Sequence, residues 1–299
     1  MPKNMTFVTL AHGGRYRLGI KTDRGILDVQ RAAAASGPQA PATVDDVLRG
    51  TGDAGALREL VRAAQSADGA DAWFVDEARA ELGPCVTNPE KIICVGLNYS
   101  RHAAEARLPA PTVPILFNKY NNALSPHRGT IHISQVPAEQ FDYEAELVIV
   151  MGKTARNVSE AQALSYVFGY CVGNDFSVRD LQMKTSQWMM GKTCDGFAPI
   201  GPYLVGAGQI SDPNDLKIEC RVNGEARQSS RTSDMIFSCA SLIAYISRYF
   251  TLKPGDLIFT GTPQGVILGY SKEKQVWLKP GDRVATTIEK LGTLEFSLA

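Results

Sequence analysis

"FDYEAELVIVMGK" occupies residues 141–153, and its two halves follow different rules. The second half has the plain apolar pattern of a buried strand. The first half places Asp142, Glu144 and Glu146 at every other position. Successive strand side chains point to opposite faces, so the three carboxylates share one face while Tyr143, Ala145 and Leu147 take the other. Such a face is ordinarily solvated. In a cleft the same groups are costly, because two unit charges about 4 Å apart repel by roughly 4 kcal/mol at an effective dielectric near 20. They can then converge only by taking up protons or sharing a cation. Oxygen-only ligands favour a hard divalent ion, Mg2+, Mn2+ or Ca2+. The strand pattern alone leaves both readings open.

A fourth acid lies in "YCVGNDFSVRDLQ", residues 170–182, where an apolar strand ends at Gly173-Asn174 and Asp175 follows at the start of a helix. That position suits an N-cap aspartate or a ligand equally. Two loops add weight to the second reading. Lys192 sits between Gly191 and a Cys-Asp-Gly turn. "PGDLIFTGTPQGV", residues 254–266, ends a strand in Gly261-Thr262-Pro263, where a glycine amide can approach a ligand closely and Thr262 adds a hydroxyl.

Around these segments, strand candidates separated by Gly and Pro turns outnumber helices. They do not alternate regularly with long helices, so a β-rich α+β fold is expected in preference to a doubly wound sheet. Helices are predicted near 100–106, 159–165, 177–183 and 235–249. Residues 14–30 read as a hairpin, 32–43 as a small-residue loop, and Thr43 as the cap of a short helix. Helical spacing continues over 54–82, and "GPCVTNPEK" then reads as a linker, giving a small N-terminal domain over 1–83 and a larger one over 90–299. Tyr245, Tyr249 and Phe250 are expected in the core, as are Trp188, Met189 and Met190, with pocket lining or a dimer contact as the alternatives for these three.

The chain has 299 residues, 44% of them hydrophobic, and equal numbers of basic and acidic residues at 31 each. That balance and the absence of a basic stripe argue against a nucleic-acid partner. No apolar run approaches the roughly 18 residues of a membrane span, and the first residues lack the apolar core of a signal peptide. Six scattered cysteines without a C-x-x-C pair are expected as reduced thiols, which suggests a cytoplasmic protein.

In order along the chain, "VGLNYSRHAAE", "LFNKYNNAL", "DYEAELVIV", "GNDFSVRDLQ", "GKTCDGFAPIGP" and "PGDLIFTGTPQGV" resemble the motifs of the fumarylacetoacetate hydrolase family, including its acylpyruvate hydrolase and oxaloacetate decarboxylase members. The resemblance covers about residues 90–299 and implies that family's mixed β-sandwich roll. It implies metal ligation by Glu144, Glu146 and Asp175, with Asp142 beside them and Lys192 next to an Mg2+ or Mn2+ ion, Ca2+ being the alternative. Arg179, Gln182, Lys119, Gly261 and Thr262 fall at substrate-binding positions, and His102 with Glu105 at a catalytic dyad on a lid. Lys119-Tyr120 departs from the lysine-proline pair common in the family. The implied activity is hydrolysis of a C–C bond in an acylpyruvate-type 2-oxo acid through a metal-stabilised enolate, by a homodimer. The alternatives are an oxaloacetate decarboxylase, an enol tautomerase or isomerase, or a non-catalytic 2-oxo acid-binding protein of the same fold.

Overall fold

In the computed structural model, residues 2–36, 39–53, 55–66, 69–107 and 109–299 are described. The strand Ala145–Met151 is buried along its whole length. Leu147, Ile149 and Met151 enter one apolar core, and Val148 and Val150 enter a second on the opposite face. A strand covered on both faces has no position for a solvated side chain, which accounts for the unbroken apolar run.

That strand lies inside a sheet of eleven strands among the described residues. Its neighbours are Val167–Asn174 and Leu257–Phe259, both antiparallel to it, and Leu257–Phe259 pairs in parallel with Ile92–Gly96. Ile115–Lys119 forms one edge of the sheet. In the other direction the order continues through Ala198–Gly206, Thr6–His12, Arg15–Thr22, Gly25–Asp28 and Phe74–Val75. Residues assigned from sequence to a separate N-terminal domain thus extend the same sheet. The predicted linker is itself enclosed: Cys85 and Val86 are fully buried. Asp45 also accepts hydrogen bonds from the amides of Thr87 and Asn88 at 3.1 and 3.0 Å.

A second sheet, of five strands among the described residues, packs over the first core. Its order is Glu225–Arg231, Lys217–Val222, Arg283–Ile288, Gly292–Leu298 and Gly129–Ile131. Ile218, Val284, Leu294 and Phe296 face Leu147, Ile149 and Val172 across the interior. The second core is covered by N-terminal helices, through Val44, Leu48, Leu57 and Leu60. The β-rich α+β class expected from sequence is the architecture found.

Several local expectations hold. The 14–30 hairpin is present. Thr43 caps Val44–Arg49 in a reciprocal arrangement with Asp46, satisfying two otherwise unpaired amides. Others need correction. Ala32–Ser36, expected in a loop, lie in the helix Val29–Ser36, while Gly37 and Pro38 of that loop lie outside the described residues. The helical pattern over 54–82 is realised only in Ala56–Ser66, with Ala54, Ala67 and Asp68 outside the described residues. A short 3-10 turn at Ala70–Trp73 leads into a strand instead. The helix expected over 235–249 is confined to Cys239–Tyr249 and buries Leu242, Ile243 and Ile246. Its Tyr249 is 63% exposed and rests against Tyr245 on the outer face. Met189 and Met190 are likewise exposed.

Candidate metal centre and cleft

Backbone register assembles the acidic cluster. Ala145 is paired with Asn174 and Glu146 with Gly173. Glu144 therefore lies across from Asp175, whose amide donates to the Glu144 carbonyl at 2.9 Å. Gly173 has no side chain to fill the space opposite Glu146, and a Cβ there would lie 2.5 Å from Val148. Ligand oxygens of Glu144, Glu146 and Asp175 fall within 4.8 Å of one another, all three residues buried.

Asp142 does not join them. The strand breaks after Phe141–Asp142, which pairs with Ser177–Val178, and resumes at Ala145. Asp142 accepts from the amides of Ile267 and Leu268 at 2.9 and 3.1 Å and from Arg179 Nε at 2.9 Å. It fastens a loop and orients an arginine. Arg179 Nη1 donates to Gln182 Oε1 at 2.9 Å. Its Nη2 lies 2.7 Å from Glu144 Oε1 and 2.8 Å from Asp142 Oδ2, but neither contact is aligned as a hydrogen bond.

Lys192 is carried on the short helix Met189–Lys192, which lies against Arg179–Gln182. Gly191 permits the approach, since a Cβ there would stand 2.5 Å from the Gln182 amide. Lys192 Nζ donates to Glu144 Oε2 and to Asp175 Oδ2, both at 2.8 Å, and lies over the Phe117 ring. Lys119 is enclosed beneath the cluster. It directs its protons to the carbonyls of Phe176, Phe197 and Lys192, and its Nζ is 2.6 Å from Asp175 Oδ1.

Burial pushes Glu144 up, but Lys192 and Arg179 outweigh it and hold the carboxyl at about 2. Burial also pushes Glu146 well above the usual carboxylate range, and Asp175 and Glu144 add to that rise. Burial would lower Lys192, yet Asp175 and Glu144 keep it above its ordinary value. Asp175 Oδ1 is buried and accepts no directed hydrogen bond. An oxygen in that state beside two further converging carboxylates fits a hard divalent ion, and Glu144, Glu146 and Asp175 are the residues that would hold it.

The cluster opens into a cleft of about 640 Å3 whose lining includes His102, Glu105, Glu144, Glu146, Arg179, Gln182, Lys192, Thr262 and Trp188. Trp188, expected in the core with pocket lining as the alternative, is a wall of this cleft and packs edge-on against Phe117. Of the residues expected at substrate, Arg179, Gln182 and Thr262 reach the lining. Lys119 is buried below it. Gly261 gives its amide to Glu146 Oε2 at 2.7 Å. Its φ of +96° and the 2.8 Å that a Cβ would leave to Asn98 explain the glycine.

His102 Nδ1 stands 3.4 Å from Glu105 Oε2 on the helix Ser100–Glu105, one turn apart. The Gly265 amide lies 3.1 Å from both Glu105 oxygens. Gly269 leaves room for the carboxylate, because a Cβ there would lie 2.3 Å from Glu105 Cδ. The dyad is therefore carried on one helix and braced by a segment distant in sequence.

Two supporting residues escape a reading of the sequence. Asn98, fully buried, donates to the carbonyls of Thr260 and Phe237 and accepts from the Phe237 amide, fixing the turn before Gly261. Gln228 donates to Thr262 Oγ1 at 2.9 Å and to the Pro263 carbonyl, and accepts from the Ala145 amide. Thr262 Oγ1 accepts that bond, which leaves its own hydrogen free to donate. Asn98 lies within a quoted motif, but Gln228 sits in a polar strand with no local signal.

The family model for the fumarylacetoacetate (FAA) hydrolase C-terminal region matches residues 91–299. An oxaloacetate tautomerase, fahd2, mitochondrial, from Xenopus laevis is 43% identical over 236 residues, 78% of this chain and 73% of that protein. Among solved structures, a fumarylacetoacetate hydrolase from Exiguobacterium antarcticum superposes with a TM-score of 0.78 at 31% identity, covering 98% of this chain and 99% of the other. A maleylpyruvate hydrolase from Sphingobium sp. SYK-6, in complex with manganese(II) and pyruvate, superposes with a TM-score of 0.77 at 28% identity over 99% of both chains. Sequence, full-length fold and carboxylate cluster agree, and the chain belongs to the fumarylacetoacetate hydrolase family of metal-dependent enzymes.

Proposed function

We propose that this protein interconverts the enol and keto forms of a small 2-oxo acid of the oxaloacetate type, with a divalent ion held by Glu144, Glu146 and Asp175. The observation that carries this reading is one cleft containing both the carboxylate cluster and the His102–Glu105 pair. The name of the 43% identical relative favours tautomerisation over the C–C hydrolysis that the sequence motifs first suggested.

Mg2+ or Mn2+, when bound, supplies a Lewis acid that stabilises negative charge on the substrate's keto oxygen. The chain's own residues do the rest. Lys192 adds a fixed positive charge beside the same oxygens. Thr262 donates its hydroxyl to the substrate carboxylate, and Arg179 and Gln182, which line the same cleft, help to orient it. Glu105, held by the Gly265 amide, faces His102 Nδ1 and leaves Nε2 as the ring nitrogen that exchanges a proton. In the enol-to-keto direction C3 gains a proton and the enol oxygen loses one, so no other atom enters or leaves.

A second reading, hydrolysis of an acylpyruvate, is favoured by the maleylpyruvate hydrolase likeness. There the same dyad would draw a proton from water, which attacks the distal carbonyl. One experiment separates the two. The protein is loaded with Mg2+ or Mn2+, and oxaloacetate enol absorbance is followed together with pyruvate and CO2. Faster enol decay without pyruvate or CO2 is expected. Pyruvate released from acetylpyruvate or fumarylpyruvate would move the assignment to hydrolysis, and pyruvate with CO2 from oxaloacetate to decarboxylation. No effect on any 2-oxo acid would remove the reading.

A further inference from the structure

The charged groups at the inner end of the cleft are already committed. Among the described residues, the cations in ion pairs with this group of Asp142, Glu144, Glu146 and Asp175 are Lys119, Lys192 and Arg179. Four carboxylates against three cations leave one negative charge, so a divalent ion turns the inner site one charge positive. That matches a single substrate carboxylate. A second carboxylate has no counter-charge there, and burying it unpaired would be costly.

Two other cations line the same cleft. Arg107 follows the helix that carries the dyad, at φ +56° with its amide bonded to the Ala104 carbonyl. Lys272 opens a 3-10 turn in the segment that packs against that helix through Glu105, Gly265 and Gly269. Neither side chain makes an ion pair or hydrogen bond with another described residue. The segment leading to Lys272 is fastened to the inner site: Asp142 holds the amides of Ile267 and Leu268, and Gln275 Nε2 bonds the carbonyls of Leu268 and Tyr270. Of the acids beside them, Glu105 is engaged by His102 and the Gly265 amide, and Glu273 also lines the cleft, so Arg107 and Lys272 exceed Glu273 by one positive charge.

We propose that Arg107 and Lys272 bind the distal carboxylate of the substrate, which makes the cleft selective for dicarboxylate 2-oxo acids over their monocarboxylate counterparts. This rests on the 2-oxo acid reading above and deepens it. A guanidinium can engage a carboxylate through two parallel hydrogen bonds, and an ammonium lining the same cleft adds a point charge.

The test uses a matched pair of ligands. 2-Oxobutyrate carries a methyl group where oxaloacetate carries its distal carboxylate. Binding of each to the Mn2+-loaded full chain is measured by competition against pyruvate in calorimetry, for the wild type and for Arg107→Gln/Lys272→Gln. Both positions are exposed, and an unchanged melting temperature of the variant checks the fold. The wild type is expected to prefer oxaloacetate. The variant should lose about tenfold for oxaloacetate, equivalent to ~1.4 kcal/mol, and less than about twofold for 2-oxobutyrate. Raised salt should weaken only the wild type's hold on oxaloacetate. If the variant keeps the wild-type preference, or weakens both ligands alike, the rim assignment is wrong while the 2-oxo acid reading stands. If the metal-loaded wild type binds neither ligand nor pyruvate, the reading and this inference fall together.

Discussion

Glu146 shows how a single residue can work against its own fold. Burial, Asp175 and Glu144 all raise its affinity for a proton. A carboxyl whose folded pKa is raised binds more protons folded than unfolded, so its contribution to stability falls as pH rises above its unfolded value of about 4.3. Glu146→Gln cannot ionise, and its metal-free form should match or exceed the wild type in melting temperature above pH 7, by a margin that grows with pH. The same variant should lose the metal-induced rise in melting temperature. For the wild type that rise corresponds to about 2.7 kcal/mol at a hundredfold excess of Mn2+ over Kd. A metal-induced rise of wild-type size in the variant would remove Glu146 from the ligand set. Gly269 poses a different test. In Gly269→Ala the new methyl meets the flexible end of Glu105, so the side chain moves and the fold survives. Turnover should fall by about tenfold to a hundredfold, in line with a displaced proton-transfer group, with Mn2+ affinity unchanged. Equal losses in both would mean that the substitution disturbs more than the dyad.

At the scale of elements, the strand Ala145–Met151 couples stability to the site. Near its start it holds Glu146 toward the cleft, and Leu147 and Ile149 anchor it in the core between the sheets. Leu147→Ala leaves a cavity in that core and should cost about 2–5 kcal/mol in urea unfolding. Because the register with Val167–Asn174 is set by backbone pairing along the whole strand, metal affinity at low temperature should change little. A large loss of affinity in a folded Leu147→Ala protein would show that side-chain packing, more than strand pairing, places the carboxylates.

Across the whole molecule, three layers enclose the thiols. Cys85, Cys94, Cys171, Cys220 and Cys239 are buried, and only Cys194 is partly accessible. Burial pushes Cys220 and Cys239 up to about 12, which keeps both protonated at pH 8, where the thiolate is the reactive form. Ellman's reagent at pH 8 should therefore titrate at most one thiol in the folded protein and six in urea. Two or more fast-reacting thiols in the folded protein would mean that the layers open readily. The continuous sheet from Phe74–Val75 to Ile115–Lys119 gives that enclosure its extent.

Legibility followed the range of the interaction. Glu144, Glu146, Asp175 and Lys192 stood out because strand alternation and strand-end acids are local patterns, and the ordered motifs carried the family. The Thr43 cap and the 14–30 hairpin were equally local. The strand Ala198–Gly206 was hidden among Pro and Gly, and Gln228 in a polar strand, because their roles depend on partners far along the chain. The sequence by itself determined the β-rich class and the family, and marked the acidic residues that the family resemblance implies as ligands. Only the tertiary structure decided that Asp142 serves Arg179, that Lys119 lies beneath the ligands, that residues 6–28 extend the main sheet, and that Arg107 faces the same cleft as Lys272. The physical reason is that alternation and capping act over a few residues, whereas charge pairing and sheet order depend on which distant segments are brought within a few ångströms.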